Sequence, residues 1–250
     1  MIKEQGSRWT AALVIGLPVA AMASISWSLD CAQDMYASLY NAGVGAPYRL
    51  MLAGLLRPAI LLVGLVVGVR MAVAREHRLS ALCLRIGVRR GLLAGSLISL
   101  PTLLLVPLLG EQATVDVELL QEAVTLPITF AFYFGLLLAI PVRLGHCSFW
   151  PTTLVAACAF GALALQWDPT SNTYNLTARA MEAATGIWYG WLLRRFAWNL
   201  WVVVGAEYVS RIAWRSFGGN ASTITSGHLL TFAGAIALGT VVALLMKPEE

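Results

Sequence analysis

Residues 228–246 read HLLTFAGAIALGTVVALLM, and residues 58–69 read PAILLVGLVVGV. Past His228 neither run holds a charged side chain, and the first approaches the roughly 20 residues that a helix needs to cross about 30 Å of hydrocarbon. Similar runs recur along the chain, so candidate spans fall at 10–29, 50–73, 91–109, 124–142, 151–167, 196–213 and 228–246. All are expected to be helices, because an open backbone cannot satisfy its hydrogen bonds in lipid.

The composition agrees. Of the 250 residues, 58% are hydrophobic and 12% charged, and the mean hydropathy is +0.73. A soluble domain carries about 25% charged residues to cover its surface. Half that supply excludes a soluble globule, a disordered chain and a nucleic-acid binder. The expected fold is all-α: a polytopic transmembrane bundle of about seven spans, forming one integral membrane domain over residues 1–250. The segment 196–213 is the weakest, since Arg194 and Arg195 precede it and Glu207 lies within it; if it rests on the surface, six spans remain.

Orientation follows from arginine, because Lys3 and Lys247 are the only lysines. Arg70, Arg75, Arg78, Arg85, Arg89 and Arg90 crowd the loop after the second span, whereas Glu111, Asp116, Glu118 and Glu122 fill the next loop without a basic residue. The positive-inside rule then puts the N-terminus in the cytoplasm, and seven spans leave the tail outside. The expected location is a bacterial inner (plasma) membrane. The run ALVIGLPVA followed by Ala21-Met22-Ala23 resembles a cleavable signal peptide, but an uncleaved first span is favoured.

Membrane helices pack through small residues. Gly64 and Gly68 lie four apart in the second span, and Gly87, Gly91, Gly95 and Ser99 continue that spacing into the third, so these two spans are expected to pack together. Pro18, Pro101, Pro107 and Pro127 should disturb their helices. Trp188, Trp191, Arg195 and Trp198 follow a 3-4-3 spacing that puts them on one helical face. With Trp201 they suggest an interfacial helix leading into the sixth span; the sharper alternative is a stripe that docks a partner helix or a pigment-like ligand.

Ionisable groups at membrane depth are functional candidates. Arg57 and Arg70, about 20 Å apart on a helix, can snorkel to opposite surfaces. Glu207 and Arg211 form an i,i+4 pair of favourable order. Asp30 and Asp34, with Arg49 and Arg57 facing them at similar depth, suggest either an outward polar cavity or an ordinary wet loop. The topology puts His77, His146 and His228 at the inner face with Cys83 and Cys147, but no pair has ligand spacing, so no metal site is expected. The four cysteines show no framework, and Asn175-Leu176-Thr177 is only a formal sequon.

No GxSxG, SxxK, HExxH, GxxxxGK[ST] or GxGxxG occurs. The expectation is a non-enzymatic, permease-like subunit or membrane component of a larger complex, with no cofactor. Its partners are the lipid bilayer and other protein subunits or copies of itself, not nucleic acid. Substrate or ion contacts fall to Asp30, Asp34, Arg57 and Glu207. The alternative is a membrane enzyme whose outer acids and arginines hold a lipid-linked or phosphate-bearing substrate.

Overall fold

The computed structural model describes residues 31, 34–72, 82–84, 87–109, 125–164, 176–217 and 225–246. The expected span 10–29, with Asp30, Pro18 and His77, lies outside them. Among the described residues the chain is all-helical, without a strand. The helices are α1 (Ala46–Ala72), α2 (Val88–Ile98), α3 (Leu100–Leu105), α4 (Thr125–Arg143), α5 (Phe149–Ala164), α6 (Leu176–Arg195), α7 (Leu200–Phe217) and α8 (Ser226–Leu245). Three helical segments, Val88–Leu109, Thr125–Arg143 and Ser226–Leu245, are long and apolar enough to cross a membrane. Pro58–Arg70 and Phe149–Gly161 are shorter apolar stretches.

Helix α4 is the centre of the bundle: 72% of its apolar window is buried, against 28% for Val88–Leu109 and 17% for α8. Its sequence ITFAFYFGLLLAI puts bulky apolar groups on every side, as a helix surrounded by others requires. Phe130 stacks on Phe134 at 5.3 Å and meets Phe160 of α5 at 5.5 Å and Tyr189 of α6 at 5.6 Å. Ala131–Ala139 is wound as a π-helix, with the Ile140 N–H bonded to the Gly135 carbonyl. The widened turns run up to Pro141, which has no N–H to donate.

Proline also marks α2 and α3. The helix breaks at Ser99 (φ −94°, ψ 2°), two residues before Pro101, and Pro107 sits in the 3-10 turn Val106–Leu109. Pro127 falls in the first turn of α4, where a missing N–H costs nothing.

The direction of each helix is fixed by its close contacts. A Cβ on Gly186 would lie 2.9 Å from Ala157, and one on Gly190 2.4 Å from Thr153, so α5 and α6 are antiparallel. Gly91 abuts Asn199 and Trp201, Gly95 abuts Val202 and Ala206, and Ser99 meets Ser210, so α2 and α7 run parallel. Gly239 abuts Ile98 and Gly227 faces Leu109, so α8 runs antiparallel to α2 and α3.

Two expectations are corrected. The glycine face of α2 closes on α7, not on α1, which carries Gly64 and Gly68 and packs against the π-helical part of α4. Four-residue spacing marks a smooth face but not what meets it. The second concerns the expected interfacial helix: α6 starts at Leu176, well before the aromatic stretch that marked it, and stops at Arg195, before the turn into α7, instead of running on through Trp198. It reverses the direction of α7 and α8, so the C-terminal end of α8 lies beside residues 143–149 rather than opposite them.

In Gly95→Ala the added methyl would stand 2.0 Å from the Val202 carbonyl, whereas in Gly234→Ala the nearest atom is 3.5 Å away. Gly95→Ala is expected to cost about 1–3 kcal/mol in thermal unfolding of the detergent-purified chain, and Gly234→Ala close to nothing. Unchanged melting of Gly95→Ala would contradict the α2–α7 contact.

Candidate functional site

The site begins at the link between α6 and α7. Ala197 (φ 50°) and Trp198 (φ 65°) are both left-handed, and the Trp198 N–H closes α6 on the Leu193 carbonyl at 2.7 Å. Asn199 then starts α7, its Oδ1 accepting from the Trp201 N–H at 3.1 Å, the capping role that suits asparagine. The continuous face expected for Trp188, Trp191, Arg195 and Trp198 therefore ends at Arg195. Trp198 leaves it and packs edge-on against Phe149 at 6.2 Å.

The remaining face of α6 docks a helix of the same chain. Trp188 Nε1 donates to Thr240 Oγ1 at 3.0 Å. Arg195 donates from Nε to the Ala243 carbonyl at 2.8 Å, and from Nη2 to those of Leu244 at 3.0 Å and Met246 at 3.3 Å. A guanidinium at a helix C-terminus satisfies carbonyls without an intrahelical donor and complements the helix dipole. Trp201, on α7, donates from Nε1 to the Leu84 carbonyl at 3.0 Å. All four tryptophans are half-buried.

The core of the site is a polar layer. Glu207 is only 4% exposed. Tyr189 donates from its hydroxyl to Glu207 Oε2 at 2.6 Å, and Arg211 donates from Nε to Oε1. On the next face of α7, Ser210 Oγ lies 3.4 Å from Ser99 Oγ, at the break between α2 and α3. Glu207 is seven residues into the 18-residue α7, about 10 Å from its start and close to mid-length. The Tyr189 ring touches Phe134, in the π-helical part of α4, at 6.2 Å. The buried carboxylate thus belongs to a layer that reaches, through Ser210 and the Tyr189 ring, two helices whose regular hydrogen bonding is interrupted. Its charge is offset by one guanidinium and one hydroxyl, as a buried charge requires.

Of the other expected contacts, Asp34 is exposed in a short helical stretch before α1, and Arg57 lies in α1 with its side chain outside the described residues. Nothing places either of them beside Glu207. The two described histidines do not share a face: His146 follows the C-terminal end of α4, whereas His228 lies in the first turn of α8, bonded to Thr225 and stacked on Trp214 at 6.1 Å. Among the described residues no three His, Cys, Asp or Glu stand where they could hold a metal. Cys83 is fully buried, and Arg143 Nη1 donates to its sulfur at 3.4 Å. Burial pushes the thiol pKa up against the pull of Arg143, which favours an unreactive thiol at neutral pH.

Sequence reasoning missed Tyr189 as the partner of Glu207, Asn199 as a cap and Arg195 as a clamp. The signals were present: asparagine before an apolar run marks a helix start, and paired arginines after an aromatic-rich run mark a helix end. No protein-family model, curated protein or solved structure matches the chain.

Tyr189→Phe is expected to cost about 2 kcal/mol, the worth of a hydrogen bond to a charged group. Arg211→Met should cost about 3 kcal/mol or more by leaving Glu207 uncompensated, and Glu207→Leu/Arg211→Leu should recover most of that loss. Thermal unfolding in detergent measures all three. An Arg211→Met protein as stable as the wild type would remove the ion pair from the account.

Proposed function

We propose that this chain is a multi-pass membrane protein that works as a permease-like subunit, with its solute or ion site in the polar layer around Glu207. One observation carries this reading: a buried carboxylate held by Tyr189 and Arg211 at the mid-length of α7, flanked by the broken helix at Ser99 and the π-helical part of α4. Interrupted helices near the bilayer midplane free backbone groups for a solute, and an ionisable side chain there is costly unless it is used.

In this reading α6 crosses with the other helices, shielded by α5 and α8, so its own hydropathy need not be high. Together with the expected span 10–29 the crossings number eight, and both termini face the cytoplasm of a bacterial-type inner membrane. The arginine-rich loop, Arg143, Arg194 and Lys247 then share the inner side. Transport would draw on an ion gradient or on a partner subunit.

The test is transport by the purified chain in proteoliposomes, screened against a panel of small solutes and ions. For any solute the wild type accumulates, Glu207→Gln is expected to lower the rate about tenfold or more, equivalent to roughly 1.4 kcal/mol. The variant should still co-sediment with the vesicles. Wild-type transport by Glu207→Gln would move the site elsewhere, and release of the chain from native membranes by alkaline carbonate would end the membrane reading.

A further inference from the structure

The exposed side of α2 and α3 carries a second pattern. Arg89, Leu93, Leu97, Leu100 and Leu104 recur at helical spacing, so they form one stripe. The four leucines are all exposed, between 43% and 64%, and Arg89 at the head of the stripe is exposed as well. Arg90 stands beside it, and no acidic residue lies in the first turn of α2. Around this end of the bundle the described residues 82–84, 87–90, 143–149, 194–200 and 243–246 include Arg143, Arg194 and Arg195 and no carboxylate side chain. Arg143 and Arg195 are engaged with Cys83 and with the carbonyls of α8, whereas Arg89 heads a row of exposed leucines.

From Arg89 to Leu104 the stripe runs about 22 Å, at 1.5 Å per residue. One leaflet offers about 15 Å of hydrocarbon. A cationic head with an apolar track longer than a leaflet fits a molecule that has an anionic head and a long alkyl tail. We propose that this stripe binds an anionic phospholipid, its phosphate held at Arg89 and Arg90 and its acyl chain laid along Leu93, Leu97, Leu100 and Leu104. A zwitterionic lipid brings its own cation to the same place and gains less from the arginines. A free phosphate would use the arginines but leave the leucines uncovered. This inference rests on the membrane reading above.

The test uses the full chain in a neutral maltoside detergent, with phosphatidylglycerol, phosphatidylcholine or inorganic phosphate added, and counts bound lipid by native mass spectrometry. Phosphatidylglycerol is expected to bind about tenfold more tightly than phosphatidylcholine, since each arginine near a phosphate contributes about 1 kcal/mol. Arg89→Gln/Arg90→Gln should bring the two lipids to near parity, while Arg89→Lys/Arg90→Lys should keep most of the preference. Inorganic phosphate should not displace phosphatidylglycerol. Equal binding of both lipids by the wild type, or an unchanged preference in Arg89→Gln/Arg90→Gln, overturns the proposal. So does displacement by phosphate, which would make this a site for a free anion. A chain that stays monodisperse without any detergent would instead overturn the membrane reading, a result separate from these.

Discussion

The guanidinium of Arg195, laid across the last carbonyls of α8, is the contact on which the rest of the arrangement depends. It ties the C-terminal end of α6 to the C-terminal end of α8. Once those ends are joined, α7 has to leave from the same end, through the left-handed residues Ala197 and Trp198. Helix α7 then runs antiparallel to both α6 and α8, and the glycine contacts of α2 align it with α7. The same placement brings Tyr189 to Glu207, because they lie at similar distances from the one turn at which α6 ends and α7 begins.

The polar layer makes sense in the same terms. A carboxylate taken from water loses hydration that only close, well-directed partners replace. Here the partners come from two helices: Arg211 one turn along α7, and Tyr189 from α6. The pair from α7 alone was readable in the sequence as an i,i+4 spacing. The tyrosine was not, because the contact depends on how two helices pack. The interruption of α2 at Ser99 and the widened turns of α4 place irregular backbone beside this layer, which is the feature that distinguishes it from a plain structural ion pair.

How much was legible in the sequence differs by element, and for physical reasons. Helices that are apolar along their whole length were found within a few residues, as with Val88–Leu109, Thr125–Arg143 and Ser226–Leu245. Hydropathy detects surface suited to lipid, and those helices either display it or fill the core with it. Helix α6 was legible in its aromatic second half alone, because its first half, LTARAMEAAT, mixes small and polar residues. Its small residues fit it against α5, and Trp188 and Arg195 serve α8, so little lipid-like surface is needed. The glycine spacing of α2 revealed a close-packing face but not its partner. The π-helical winding left no trace, since an apolar run reads alike in either helix. Asp30, His77 and the side chain of Arg57 lie outside what the structure describes, and Asp34 is exposed before α1.

The placement of α6 is the claim that decides topology and site together, and sidedness tests it most directly. In a chain with Cys31, Cys83, Cys147 and Cys158 replaced by alanine, single cysteines are introduced as Ser148→Cys, Thr225→Cys and Lys247→Cys. Each is then labelled with a membrane-impermeant maleimide on sealed vesicles of both orientations. With α6 inside the bundle, Ser148→Cys and Lys247→Cys should react from one side and Thr225→Cys from the other. Labelling of Ser148→Cys from the same side as Thr225→Cys, with Lys247→Cys reacting from the other, would contradict that placement, and with it the Arg195 clamp.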